Sequence, residues 1–166
     1  PEVRRYLMSK SGALQLGGQE TEVSILFSDL KGFTSMSEKL EAKQVISALN
    51  DYFGPMFGII IEDNNGTLDK LIGDAIMAYF GHPLPNSNHP VQAVTAALMM
   101  QRRLEELRQE WEKEGKPTIR MRIGVNTGTV VAGNMGSAGR TDYSISGDNV
   151  NLASRLEGQC KTYRVG

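Results

Sequence analysis

The sequence predicts an α+β fold, a mainly antiparallel sheet with helices packed on one face, on three observations. The apolar periodicity changes along the chain in the order strand, helix, strand, strand, helix, strand. Gly73-Asp74 separates two short extended runs, Thr67–Ile72 and Ala75–Phe80, as the tip of a hairpin does. The 166 residues, 40% hydrophobic and 22% charged, suffice for one ordinary core. A β-α-β-β-α-β order folds most economically as a ferredoxin-like βαββαβ core.

Each element has its own signal. Within residues 22–29, Val23, Ile25 and Phe27 alternate with polar residues while Leu26 is apolar on the other side, which makes a first strand. Lys31-Gly32 turns the chain, and Thr34 or Ser35 can cap the next helical segment. Residues 42–63 have helical spacing, with Val45, Leu49, Tyr52, Met56 and Ile60 on one stripe. Gly54-Pro55 should kink or divide this helix, because proline lacks an amide proton and clashes with the preceding turn. Its second half is apolar on nearly every side and calls for deep burial or a partner chain.

Asn65-Gly66 is a turn that leads into the hairpin. Residues 83–89 are loop, and Pro90 opens a long helix with Val94, Ala97, Met100, Leu104, Leu107 and Trp111 as its apolar stripe. Gly115 and Pro117 end it. Residues 120–126 and 129–134 read as two strands around Thr127-Gly128, residues 143–146 as a short strand, and residues 148–159 as a helix led by Asp148 and Asn149. Residues 1–20 lack an initiator methionine and drift into Gly17-Gly18, so they read as a linker from an upstream domain, with the folded domain at 21–166.

Composition excludes several classes. A formal charge of −1 does not suit a protein that holds nucleic acid by bulk charge. One cysteine, Cys160, and two histidines, His82 and His89, cannot build a disulfide framework or a Cys/His zinc cluster, and a reducing, cytoplasmic setting is the simplest home. No apolar run approaches the ~18 residues of a membrane span. Neither G-x-x-x-x-G-K-[ST] nor G-x-G-x-x-G on a strand-to-helix turn occurs.

Two acids stand apart: Asp29 at the end of the first strand and Asp74 at the hairpin tip. In a ferredoxin-like sheet these two points can lie on one edge. Two carboxylates and a backbone carbonyl form a hard oxygen site suited to Mg²⁺. By residue type alone a second reading stays open, in which Asp29 caps a turn and Asp74 fills a hairpin position. The glycines of residues 124–147 point to hairpin turns and close backbone approach. His82, beside Pro83, reads as a loop residue, and Cys160 as core or spectator.

Four segments taken together resemble one family. FSDLKGFT (27–34), DKLIGDAIMAYFG (69–81), RIGVNTGTVVAGNMG (122–136) and YSISGDNVNLASRLE (143–157) are similar to motifs of the catalytic domain of class III nucleotidyl cyclases, adenylyl type. The resemblance implies that Asp29, Asp74 and the Leu30 carbonyl bind two Mg²⁺ ions per site, with Mn²⁺ as an alternative. It implies that Leu30, Lys31, Gly32, Phe33 and Thr34 form a loop around the β- and γ-phosphates. Lys70 and Ser144 match the positions that read the purine, and Asn151 and Arg155 the pair that places the ribose and stabilises the transition state.

The implied reaction is in-line attack of the 3′-OH on the α-phosphorus of ATP, giving 3′,5′-cyclic AMP and pyrophosphate. Lys70 only donates, which suits N1 of adenine, whereas Ser144 can accept or donate and so discriminates less. The resemblance further implies a head-to-tail homodimer whose sites are shared between protomers, and an upstream regulatory domain that sets their alignment. The parent protein, which could be tethered to a membrane, would present the domain to the cytosol. Two departures stand out. Thr129 occupies a position where the family often has arginine, and the chain ends before the strands that carry a triphosphate-binding lysine, so the domain is expected to be C-terminally incomplete. The alternatives are a guanylyl cyclase and a catalytically weak nucleotide-binding dimerisation module. A polymerase-palm or diguanylate-cyclase enzyme shares the plan but should lack N-x-x-x-R on its helix, and the latter should show GG-[DE]-E-F.

Overall fold

The computed structural model describes residues 17–38, 40–116, 118–137 and 140–164. The hairpin forms where the sequence puts it: β2 (Thr67–Ile72) and β3 (Ala75–Phe80) pair antiparallel across Gly73-Asp74. β3 pairs with β1 (Gly17–Lys31), and β1 with β4 (Arg120–Ser137), which carries β5 (Arg140–Ser146) at its far end. The sheet order is β2-β3-β1-β4-β5, with every neighbour antiparallel. The first four strands have the order of a ferredoxin-like core.

The helices of that core are α2 (Ala42–Phe57), with its π-helical extension Gly58–Asp63, and α3 (His89–Lys113); a single short turn, α1 (Phe33–Ser37), precedes them. Both long helices pack on one face of the sheet, where Leu26, Ile76, Ala78, Phe80 and Met121 meet Tyr52, Met56, Ile60, Met100 and Leu104. The terminal helix α4 (Asp148–Tyr163) covers the opposite face, its Ala153 packed with Val23, Ile25, Met77, Tyr79 and Val130. No helix among the described residues is long and apolar enough to cross a membrane.

Several elements differ from the expectation, each for a local reason. β1 begins at Gly17, inside the stretch expected to be linker, because Gly17–Glu22 pair with the distal half of β4; residues 1–16 lie outside those described. Thr127-Gly128 makes no turn. β4 runs straight through it, paired with Ser24 and Val23, and Gly128 makes room for Asn149, whose side chain stands 2.4 Å from where a Cβ would lie. Pro55 sits inside α2, and the helix divides after it, at Gly58, where the wider π turns begin. α1 starts at Phe33, so Thr34 and Ser35 lie within it instead of capping it, with side chains outside those described.

The stripe on α3 rotates near its start. His89, Ala93 and Ala96 are buried while Val94 is half-exposed, because small residues let the helix approach the sheet closely. Gly115 follows the helix at φ +68°, and Pro117 lies outside the described residues.

Gly124 fixes the seat of α4. A Cβ there would lie 2.2 Å from the Glu157 amide nitrogen and 2.5 Å from the Ala153 carbonyl, both rigid backbone atoms. Gly124→Ala is therefore expected to destabilise the fold by about 1–3 kcal/mol. A melting temperature lowered by roughly 2–4 °C per kcal/mol would register it, and an unchanged value would contradict the contact.

Candidate functional site

The β1–β3 register brings the two acids together. Its last pair is Ser28↔Ile76, so Asp29, still within β1, lies just beyond the β1–β3 pairing, beside Asp74 at the hairpin tip. The Leu30 amide donates to Asp74 Oδ2 at 3.1 Å, which pins the tip to the first strand. Burial, chiefly, pushes the Asp74 carboxyl above the ordinary carboxylate range, and the neighbouring Asp29 adds to it.

A residue not singled out from the sequence completes this edge. Arg122 stands opposite Asp29 in the β1–β4 register and pairs with its carboxylate. Its side chain is only 9% exposed, and Nε lies 3.1 Å from Glu157 Oε1 of α4, an ion pair without hydrogen-bond alignment. Burial and Asp29 raise the Glu157 carboxyl as well, against the pull of Arg122. Asp29 and Glu157 flank one guanidinium and Asp74 stands beside Asp29, so carboxyl groups are in excess in this partly buried place. That excess fits a divalent cation. Glu157 meets Arg122 at Nε, and no three His, Cys, Asp or Glu side chains converge on one point among the described residues. The donors available at this edge are two carboxylates and backbone oxygens, hard groups that would suit Mg²⁺ better than a softer ion.

The chain runs from this edge directly into Lys31 and Gly32, the latter at φ +87° with open space around its Cα. The Gly32 carbonyl accepts from the Met36 amide at 3.0 Å, and Phe33 packs partly into the core. The Thr34 side chain lies outside those described.

Lys70 and Ser144, distant in sequence, meet as a second pair. The sheet curls far enough for its edge strands β2 and β5 to touch. Lys70 Nζ donates to Ser144 Oγ at 3.2 Å. Between them lies Asp69, also unforeseen. Its side chain is 1% exposed, it accepts the Ser144 hydroxyl at 2.7 Å and the Ile145 amide at 3.4 Å, and it stands 3.1 Å from Lys70 Nζ. Strand alternation would send Asp69 and Lys70 to opposite faces. A β-bulge between Leu68 and Lys70 redirects them, so both reach β5. Nearby, His82 Nε2 and the Tyr143 hydroxyl lie 2.7 Å apart with their rings stacked, which makes His82 a structural partner of β5.

Asn151 and Arg155 sit one turn apart on α4. They are exposed, on the side away from Ala153 and Glu157, and Arg155 Nε donates to the Asn151 carbonyl at 3.3 Å. The fold of one chain therefore gathers Asp29 with Asp74, and Lys70 with Ser144, but turns Asn151 and Arg155 outward from its own sheet. Thr129 pairs with Glu22 and is exposed, its carbonyl accepting from Asn149 Nδ2. Cys160 is half-buried with Sγ 3.6 Å from the Ile123 carbonyl, a spectator in packing.

Arg122 was legible in principle, as a charged residue between the apolar Met121 and Ile123 of a strand. Asp69 was not, since nothing in TLDKLI announces the bulge.

Comparison with known proteins gives a consistent result. A family profile described as the adenylate and guanylate cyclase catalytic domain matches residues 17–166. An adenylate cyclase of Anabaena cylindrica is 41% identical over 155 residues, 90% of this chain and 30% of that protein. Adenylate cyclase 1 of Rhizobium meliloti is 36% identical over 86% of this chain and 21% of its own length. The chain thus spans less than a third of these curated relatives. Among solved structures, the adenylyl cyclase CyaB from P. aeruginosa superposes with a TM-score of 0.81 at 41% identity, over 86% of this chain and 74% of that one. The guanylyl cyclase Cya2 does so with a TM-score of 0.80 at 42% identity, over 86% and 72%.

Proposed function

The chain belongs to the adenylate and guanylate cyclase catalytic domain family, and from that premise we propose that it converts ATP to 3′,5′-cyclic AMP and pyrophosphate. The observation that carries the reading is the bond from the Leu30 amide to Asp74, which holds two acids at one sheet edge with negative charge in excess.

Asp29, Asp74 and the Leu30 carbonyl would hold Mg²⁺, or Mn²⁺ in its place. Bound there, the metal would supply charge neutralisation at the triphosphate and a lowered pKa for the attacking hydroxyl. Arg122 positions Asp29, keeping its carboxylate turned toward the edge. The segment 30–34, which runs from the end of β1 through Gly32 into α1, starts beside the acids and would receive the β- and γ-phosphates. Lys70 and Ser144 read the base. Asn151 orients the ribose, and Arg155 donates to the α-phosphate as charge develops, since positioning and charge dominate phosphoryl chemistry.

A second copy of the chain supplies the last pair. Asn151 and Arg155 are accompanied on the outer side of α4 by half-exposed Leu152 and Leu156, while Leu71 and Ile72 are similarly exposed on the hairpin. Apolar residues around outward-facing polar ones support a head-to-tail two-fold contact that joins the α4 residues of one protomer to the acids of its partner. Segments outside the chain, a regulatory domain among them, would set the angle of that contact.

Guanylyl cyclase activity is the second reading, supported by the likeness to Cya2. Assays with ATP and GTP side by side, each with Mg²⁺ and with Mn²⁺, separate the two. Cyclic AMP and pyrophosphate in equal amounts are expected from ATP, with GTP turned over more slowly. Release of inorganic phosphate without cyclic product, or preference for GTP, would overturn the adenylyl reading.

A further inference from the structure

We infer that Asp69 is a specificity-determining positioning residue: it fixes the Ser144 hydroxyl as a hydrogen-bond acceptor toward the base, so that the pocket selects adenine over guanine. This deepens the proposed function and rests on Lys70 and Ser144 being the pair that meets the purine.

A serine hydroxyl has one proton, and its neighbours decide where that proton goes. Ser144 Oγ is 2.7 Å from one Asp69 oxygen and 3.0 Å from the other, and 3.2 Å from Lys70 Nζ. The ammonium has only protons to give and the carboxylate only lone pairs. The Ser144 proton is therefore committed to Asp69, and what Oγ has left for a ligand is a lone pair. Lys70 spends one proton on Ser144 and one on Asp69, 3.1 Å away, and keeps one. A ligand edge thus meets a donor at Lys70 beside an acceptor at Ser144, in fixed order.

Adenine presents the complement, an acceptor at N1 beside a donating amino group. Guanine presents the reverse, N1–H beside an accepting O6, and would set donor against donor and lone pair against lone pair. To bind by this edge it would need lysine and serine to exchange polarity or place. Asp69 prevents both, because its buried carboxylate holds the lysine, the serine and the Ile145 amide at once. The bulge at Asp69 is what brings it beneath the pair.

Asp69→Asn tests this with little change of shape. Its carbonyl, in the Oδ1 place, would stay with Lys70, and its NH₂, in the Oδ2 place, would face Ser144 Oγ at the cost of the long contact to the Ile145 amide. The serine then receives a proton on that side, and its own points into the pocket, where it suits O6. The ratio of kcat/KM for ATP over GTP should fall about tenfold or more, with GTP turnover kept or raised. Asp69→Ala, which frees the serine proton without adding a donor, should lower the ratio by a smaller factor. In a Ser144→Ala background, Asp69→Asn should leave the ratio where Ser144→Ala alone puts it.

Equal loss of both nucleotides in every Asp69 variant would mean a purely structural role and overturn the inference. So would a change of ratio that persists without Ser144, since it would then run through Lys70. Competition of ATP and GTP against a fluorescent nucleotide gives the same ratio without turnover. If wild type prefers ATP in binding, and Asp69→Asn erases that preference, while neither nucleotide is cyclised, the cyclase reading falls and this one stands. If cyclic product forms and the ratio ignores Asp69, this one alone falls. A wild type without purine preference also removes it.

Discussion

Asp74→Ala is expected to abolish metal-dependent cyclisation while the chain still folds. The residue ends the hairpin, is partly exposed and contributes no apolar contact to either core cluster. What it supplies is charge at the edge where Asp29 already stands. Removing one charged partner from a preorganised site typically costs ~10²–10³ in rate, and loss of a metal ligand should reach at least that.

Asp74→Asn sharpens the test, because its carbonyl can still accept from the Leu30 amide while the charge is gone. The raised carboxyl sets the sign of the pH dependence. The folded chain binds the Asp74 proton more tightly than the unfolded chain, so this group's contribution to stability falls as pH rises from the unfolded value through the folded one. A divalent cation offsets that loss. Wild type should therefore gain stability on adding Mg²⁺ or Mn²⁺ at neutral pH, about 2.7 kcal/mol at a hundredfold excess over Kd, read as a rise in melting temperature. Asp74→Asn should gain little. An equal gain in both proteins would remove Asp74 from the metal site.

Arg155→Ala is expected to lower kcat by roughly 10²–10³ while KM changes little, since its guanidinium acts where charge develops in the transition state. The residue is exposed and makes one described bond, to the Asn151 carbonyl of its own helix, so the fold should be indifferent to its loss. Its value as a test lies in mixing. Neither Asp74→Ala nor Arg155→Ala should turn over alone. If sites are shared across a two-fold axis, half of the randomly mixed dimers are hybrids, and each hybrid holds one intact site and one doubly impaired one. Activity should return to about a quarter of the wild-type value per chain. No recovery after mixing and subunit exchange would mean that each chain uses its own Arg155, which its outward position opposes.

Much of this molecule was legible in the residues. The hairpin with Asp74 at its tip lies where alternation and Gly73 put it, because both strands are short and the turn residue admits a left-handed backbone. The antiparallel order, the two helices on one face and the approach of Asp29 to Asp74 follow from that hairpin and the strand preceding it. Local patterning failed where a residue answered to a distant neighbour. Thr127-Gly128 looks like a turn and is continuous strand, since its glycine is needed for contact with α4. Ala93 and Ala96 are poor markers of a core by hydrophobicity, yet they are fully buried because closeness, not size, was required of them.

The amino-acid sequence by itself settled which chemical groups are present, their order along the chain and the plan of strands and helices that carries them. Tertiary structure alone decided which polar groups pair. A bulge of one residue put Asp69 under Lys70 and Ser144, and a β-register put Arg122 between Asp29 and Glu157. Periodicity sets the face a side chain occupies, but the direction of a hydroxyl proton or the partner of a buried charge depends on atoms within about 3 Å, contributed by strands far apart in the chain.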